Sequence, residues 1–218
     1  MPFIQLIEFG FELCALYTHR LRDCDYTELP CALTSAERIQ TFLEGCDGLR
    51  GVRAARLAVK WIKDRSRSVR ESKFTISMTL PRAYGGQGVK CLDANVEIPL
   101  TLAEQKAAGK RHYEIDLYSR DEKIGFEYLG EDGHSGPIRE LRDIRRESIL
   151  AGKGIVVHGV TNSQAKNVME LERLAKLVVT ARGDRWRKPT PEQERAMRRL
   201  VNELYGRGPG LDATRFFR

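Results

Sequence analysis

The segment from His112 to Val160 constrains the fold more than any other part of the chain. It reads as strand, tight turn, strand, helix, strand: HYEIDLYS, then KIGFEYL, then a charged helix from Ile138 to about Gly152, then GIVVHGV. Two acids, Asp116 and Glu127, stand inside the first two strands with apolar residues on either side. A carboxylate in a mostly buried sheet is costly unless something pairs with it. The segment therefore bears on function as well as on fold.

Strand alternation sends Tyr113, Ile115 and Leu117 to one face and Glu114, Asp116 and Tyr118 to the other. In the second strand Ile124, Phe126 and Tyr128 share a face, and Gly125, Glu127 and Leu129 share the opposite one. A hairpin closed by Arg120 to Lys123 brings Asp116 and Glu127 onto one face, within about 5–8 Å of each other. Carboxylates that close repel unless a cation or a proton intervenes. Mg²⁺ takes such oxygens together with waters and phosphate oxygens. Two other arrangements meet the same cost: solvent-facing acids on an edge hairpin, or ion pairs with the neighbouring arginines.

The rest of the chain reads as helices around this sheet, an α/β or α+β sandwich. The 218 residues suit one domain, or one domain with an appendage. Helical spacing over 3–17 is followed by an irregular loop at about 18–33. Thr34-Ser-Ala-Glu37 opens a short helix as a capping box, and a further helix is expected from Leu49 to Lys63. Ser68-Val-Arg-Glu71 is a second capping box, opening a helix that Pro81 ends. Tyr84-Gly-Gly-Gln-Gly88 reads as a flexible turn; it lacks the pattern of a phosphate loop. A strand at 89–98 and a connection or short helix at 100–110 precede the hairpin. Asn162-Ser163 caps a long helix to about Ala181, and Thr190-Pro191-Glu-Gln193 opens a last helix to about Tyr205.

The run YEIDLYSRDEKIGFEYLGEDGH…RELRDIRRESILAGKGIVVHGVT resembles the PD-(D/E)xK nuclease superfamily. More narrowly, it resembles uncharacterised actinobacterial proteins related to very-short-patch-repair (Vsr) endonucleases. Asp116 matches the first acid, Glu127-Tyr128-Leu129-Gly130 the second motif, His134 the downstream histidine, and Asp143, Arg145 and Arg146 the helix. Glu71, at a helix start, matches the acid that often joins such sites.

The resemblance implies a restriction-endonuclease-like domain over 66–182, with a helical region at 1–65 before it and a basic helix and tail at 183–218 after it. It implies an Mg²⁺- or Mn²⁺-dependent endodeoxyribonuclease in which Asp116, Glu127 and the Tyr128 carbonyl hold the ion. His134 and Glu71 would complete the catalytic set. Leu129 departs from the pattern, since the family has a charged residue there that orients or activates water, and leucine does neither. The departure opens a second implication: a catalytically inactive module that binds nucleic acid or regulates a toxin–antitoxin or phage-defence system.

Charge points to the same class of partner. The net charge is +7, and from Ala181 to Arg218 ten Lys and Arg stand against five Asp and Glu. Arg139, Arg142 and Arg146 recur on one helical face as a phosphate-facing row, or as a solvated face laced with local ion pairs. Arg185, Arg187 and Lys188 around Trp186 form a second basic patch. The expected partner is nucleic acid, DNA first, and not a membrane; a homodimer is among the assembly states left open. Cys14, Cys24, Cys31, Cys46 and Cys91 form no close pair, which favours free thiols in a reducing cytoplasm. His158, inside GIVVHGV, reads as a core or edge residue.

Overall fold

The computed structural model describes residues 1–19, 26–129 and 137–206, with the backbone alone at 19, 26 and 137–140. In chain order the first elements are α1 (Phe3–Cys14), β1 (Tyr17–His19), β2 (Tyr26–Glu28), α2 (Ala36–Glu44), α3 (Val52–Ala58) and α4 (Val69–Thr79). Then come β3 (Leu92–Pro99), α5 (Leu102–Ala108), β4 (His112–Ser119), β5 (Ile124–Leu129), α6 (Pro137–Gly152) and β6 (Val156–Thr161). The chain continues with α7 (Asn162–Ala165), α8 (Val168–Ala181) and α9 (Pro191–Tyr205).

These elements form two compact units, Met1–Lys90 with Arg187–Arg218, and Cys91–Trp186. The division differs from the boundaries expected from sequence, because residues 66–90 belong with the helices. The reason is apolar: Ile76 and Leu80 share a core with Ile4, Ile7 and Phe11 of α1 and with Leu200 and Leu204 of α9. Burying one face of each helix against the others drives this association.

In the helical unit, caps recognisable from sequence fix several helix starts. Ser68 Oγ accepts the Glu71 N–H at 3.2 Å, and α9 carries a full Thr190/Gln193 box with Pro191 at its first position. At α2 the cap is Ser35 rather than Thr34: Ser35 Oγ accepts the Arg38 N–H at 3.3 Å. The loop expected at 18–33 contains a small antiparallel pair, β1 with β2. The helix expected over 49–63 stops at Ala58 and tightens into a 3₁₀ turn at Val59–Trp61. Beyond it the chain is held alongside the end of α1, with Arg65 N–H on the Cys14 carbonyl and Leu16 N–H on the Ser66 carbonyl.

The second unit is α+β, a four-stranded mixed sheet in the order β3-β4-β5-β6 with helices around it. The β3–β4 and β4–β5 pairs are antiparallel, and β5–β6 is parallel, joined through α6. Val96, Ile98, Tyr113, Ile115 and Tyr118 of the strands pack with Leu150 of α6 and with Ile155. Leu171, Leu174, Ala175 and Val178 form the buried face of α8. The single helix expected from Asn162 to Ala181 is two. Asn167 leaves helical geometry and its side chain accepts the Met169 N–H at 2.9 Å, which restarts the helix. Among the described residues, Cys14, Cys31, Cys46 and Cys91 are free thiols; Cys24 lies outside them. No helix among the described residues is long and apolar enough to cross a membrane.

Candidate functional site

The β4–β5 hairpin brings Asp116 and Glu127 together as the register requires, but the sheet is irregular there. The β4–β5 pairs run from Ser119↔Ile124 to Leu117↔Phe126 and stop before Asp116. Across β3–β4, Ala94 pairs with Leu117 and Val96 with Ile115, and the ladder skips the step at Asn95 and Asp116 between them. Asn95 has a left-handed backbone, φ 48°, a conformation that Asn tolerates better than most residues. Tyr118 shares a core cluster with Tyr113 and Ile115, so strict alternation along β4 slips near Asp116. The opposite-face placement expected for Tyr118 is corrected accordingly.

At this break the Asp116 carboxylate accepts the Tyr128 N–H at 2.8 Å. A side chain thus satisfies a backbone donor of β5 that the ladder leaves open. The Tyr128 hydroxyl bonds Asn162 Oδ1 at 2.9 Å. The Asn95 side-chain amide is buried with neither its nitrogen nor its oxygen hydrogen-bonded among the described residues. Asn95 is a site residue that sequence reading missed. Its only signal was an Asn, a residue strands disfavour, inside the expected strand.

Glu127 is held by Arg146 of α6. Both terminal guanidinium nitrogens donate to its two carboxylate oxygens, a bidentate pair, and Nη2 also donates to the Glu114 carbonyl at 2.8 Å. The Arg146 guanidinium lies 5.4 Å from the Tyr113 ring centroid, a cation–π contact. Burial alone would lower the Arg146 pKa. The hydrogen bonds and charge of Glu127, with Asp116 and Tyr113 behind them, reverse this and raise it. The cation beside the two acids is therefore a residue of the chain itself.

In this arrangement the carboxylates that the resemblance assigns to Mg²⁺ or Mn²⁺ are engaged by groups of the chain itself. Both Glu127 oxygens serve Arg146, and one Asp116 oxygen serves Tyr128. Among the described residues no three His, Cys, Asp or Glu side chains come together as a metal site. Glu71 belongs to the helical unit, where its carboxylate accepts the Ser68 hydroxyl at 2.9 Å and the Arg67 N–H at 2.8 Å. His134 lies outside the described residues, as do Glu131 and Asp132. Leu129 is about half exposed at the end of β5, and its side chain lies over Gly159. It supplies neither charge nor proton transfer.

The side chains of the expected arginine row are described at Arg142 and Arg146. Arg146 turns to Glu127, Arg142 is exposed, and of Arg139 only the backbone is described. Arg185 is exposed in the sheet unit, whereas Arg187 and Lys188 are exposed in the helical unit. His158 of β6 stacks on Phe126, with ring centroids 5.9 Å apart.

Burial, then the charge of Arg173, lowers the His158 pKa. With the folded value below the unfolded one, neutral His158 adds stability above the ordinary histidine range, and that contribution is lost as pH falls through the folded pKa. An NMR titration of the His158 ring is expected to give a midpoint below about 6.5. Arg173→Ala should recover only the smaller part of the shift, because burial is the larger cause; full recovery would contradict this assignment.

Compared with family models, with curated proteins and with solved structures, the chain matches none of them.

Proposed function

We propose that this chain is a nucleic-acid-binding protein whose sheet unit has a nuclease-like architecture and whose acid pair holds an internal cation, Arg146, on Glu127. The observation that carries this reading is the bidentate grip of Arg146 on Glu127, next to Asp116. A guanidinium supplies the positive charge that the acids require, and it can neither activate water nor polarise a phosphoryl oxygen as a divalent ion does. Leu129 supports the same conclusion, since the position lacks a proton-handling group. The β3-β4-β5-α6-β6 order supports the kinship in architecture, and the net charge of +7 supports a polyanionic partner.

A supercoiled-plasmid assay with Mg²⁺ or Mn²⁺, run beside a gel-shift assay, tests the proposal. The expected result is a retarded complex that forms with or without metal and no nicked product. Metal-dependent nicking that disappears in both Asp116→Ala and Glu127→Ala would overturn the proposal in favour of a nuclease. Absence of any complex would remove nucleic acid as the partner.

A further inference from the structure

The positive charge of this chain lies in the helical unit, not in the sheet unit that holds the acid pair. Residues 1–90 and 187–218 contain 22 Lys and Arg against 14 Asp and Glu, or +8; residues 91–186 contain 15 against 16, or −1. The excess is concentrated between Arg50 and Lys73, where nine Lys and Arg stand against Asp64 and Glu71 alone. Both acids have local partners: Asp64 accepts the Ala36 N–H at 2.8 Å, and Glu71 accepts the Ser68 hydroxyl and the Arg67 N–H.

Within this stretch α3 and the 3₁₀ turn after it form a strip with two sides. Ala58, Val59 and Ile62 enter the core with Ile4, Ile7 and Phe11, which fixes the strip's orientation. Arg56 folds back onto the end of α2, donating to the Leu43 and Glu44 carbonyls and to Asp47. Arg50, Arg53 and Lys60 are exposed and form no ion pair or side-chain hydrogen bond among the described residues. Positions 53 and 60 lie two turns apart, roughly 10 Å along the axis. Cations held outward on a packed framework repel one another and raise the local anion concentration.

We infer that the strip carrying Arg50, Arg53 and Lys60 is the surface that grips the phosphate backbone of duplex DNA. This rests on the nucleic-acid reading above and moves the contact from the arginines of α6 to the helical unit. The strip buries Ala58, Val59 and Ile62 in the core and leaves Leu49 and Leu57 exposed beside three cations, so charge dominates the contact it offers. Arginine predominates in the stretch, and its planar fork matches phosphate oxygens.

Fluorescence anisotropy with a labelled 20-base-pair duplex over a range of salt concentrations tests the inference. R53Q/K60Q is expected to weaken binding about tenfold near 0.1 M salt and to flatten the salt slope by about 2, one unit for each lost phosphate contact. R142Q, on the sheet unit, is expected to bind as wild type. Circular dichroism checks that both variants remain folded. Wild-type affinity in R53Q/K60Q, or a loss in R142Q instead, would overturn this inference while leaving nucleic-acid binding intact. Failure of the wild-type chain to bind the duplex would overturn the function as well. Sedimentation with phosphatidylserine vesicles that R53Q/K60Q loses, with duplex binding unchanged, would assign the strip to a lipid surface and overturn it too.

Discussion

Arg146→Ala is expected to destabilise the sheet unit by about 3 kcal/mol, the low end of what removing one partner of a buried ion pair costs. The low end applies because the Arg146 and Glu127 side chains keep 25% and 20% of their exposure, so water relieves part of the penalty. The loss has three sources. Glu127 is left charged between β-strands with its cation gone, and Asp116 adds repulsion. The Glu114 carbonyl loses a donor, and the Tyr113 ring loses its cation. Glu127→Gln should cost less, because an amide oxygen still accepts from the guanidinium. Arg146→Met combined with Glu127→Gln should recover most of the loss, since paired removal leaves no uncompensated charge at position 127. Urea unfolding of the single and double variants reads all of this as midpoint shifts. A change below about 0.5 kcal/mol in Arg146→Ala would mean that Glu127 does not depend on Arg146, and the account of the site would fail.

What could be read from the sequence follows the range of each interaction. Caps act within one turn, so Ser68 with Glu71 and Thr190 with Gln193 were recognisable directly. Alternation over a few residues gave the strands and the neighbourhood of Asp116 and Glu127 across their hairpin. The partner of Glu127 was less accessible. Arg146 lies on the following helix, and both a metal ion and a neighbouring arginine satisfied the electrostatic requirement; only the packing of α6 on the sheet separates them. The slip in β4 near Asp116 needs the left-handed Asn95 on the adjacent strand, and strand periodicity carries no sign of it. The observed units divide the chain differently from the expected boundaries for a similar reason. Residues 66–90 precede the sheet in sequence, but their apolar side chains meet α9, near the other end of the chain. Glu71 illustrates both lessons: its capping role was legible, and its membership of the helical unit was not.

The glycine turn after α4 gives the second large effect, because its role is close packing rather than the flexibility expected from sequence. Gly85 has φ 97°, and a Cβ placed there would come within 2.4 Å of the Ala196 carbonyl oxygen and 2.8 Å of Leu200 Cβ, both on α9. A side chain at this position meets two costs. The left-handed backbone disfavours any L-residue by roughly 1–2 kcal/mol. The clash is with helix backbone, so α9 must move, and overpacking of that kind costs about 1–3 kcal/mol more. That helix buries Met197, Leu200, Val201 and Leu204, so its displacement opens the core of the helical unit. Gly85→Ala is therefore expected to cost about 3 kcal/mol or more in chemical unfolding. Gly48→Ala provides the control: φ is 79°, but a Cβ there would meet nothing within 4 Å, so only the backbone cost of about 1–2 kcal/mol applies. Equal losses in the two variants would show that conformation alone sets the price and that α9 is not packed against the turn as described.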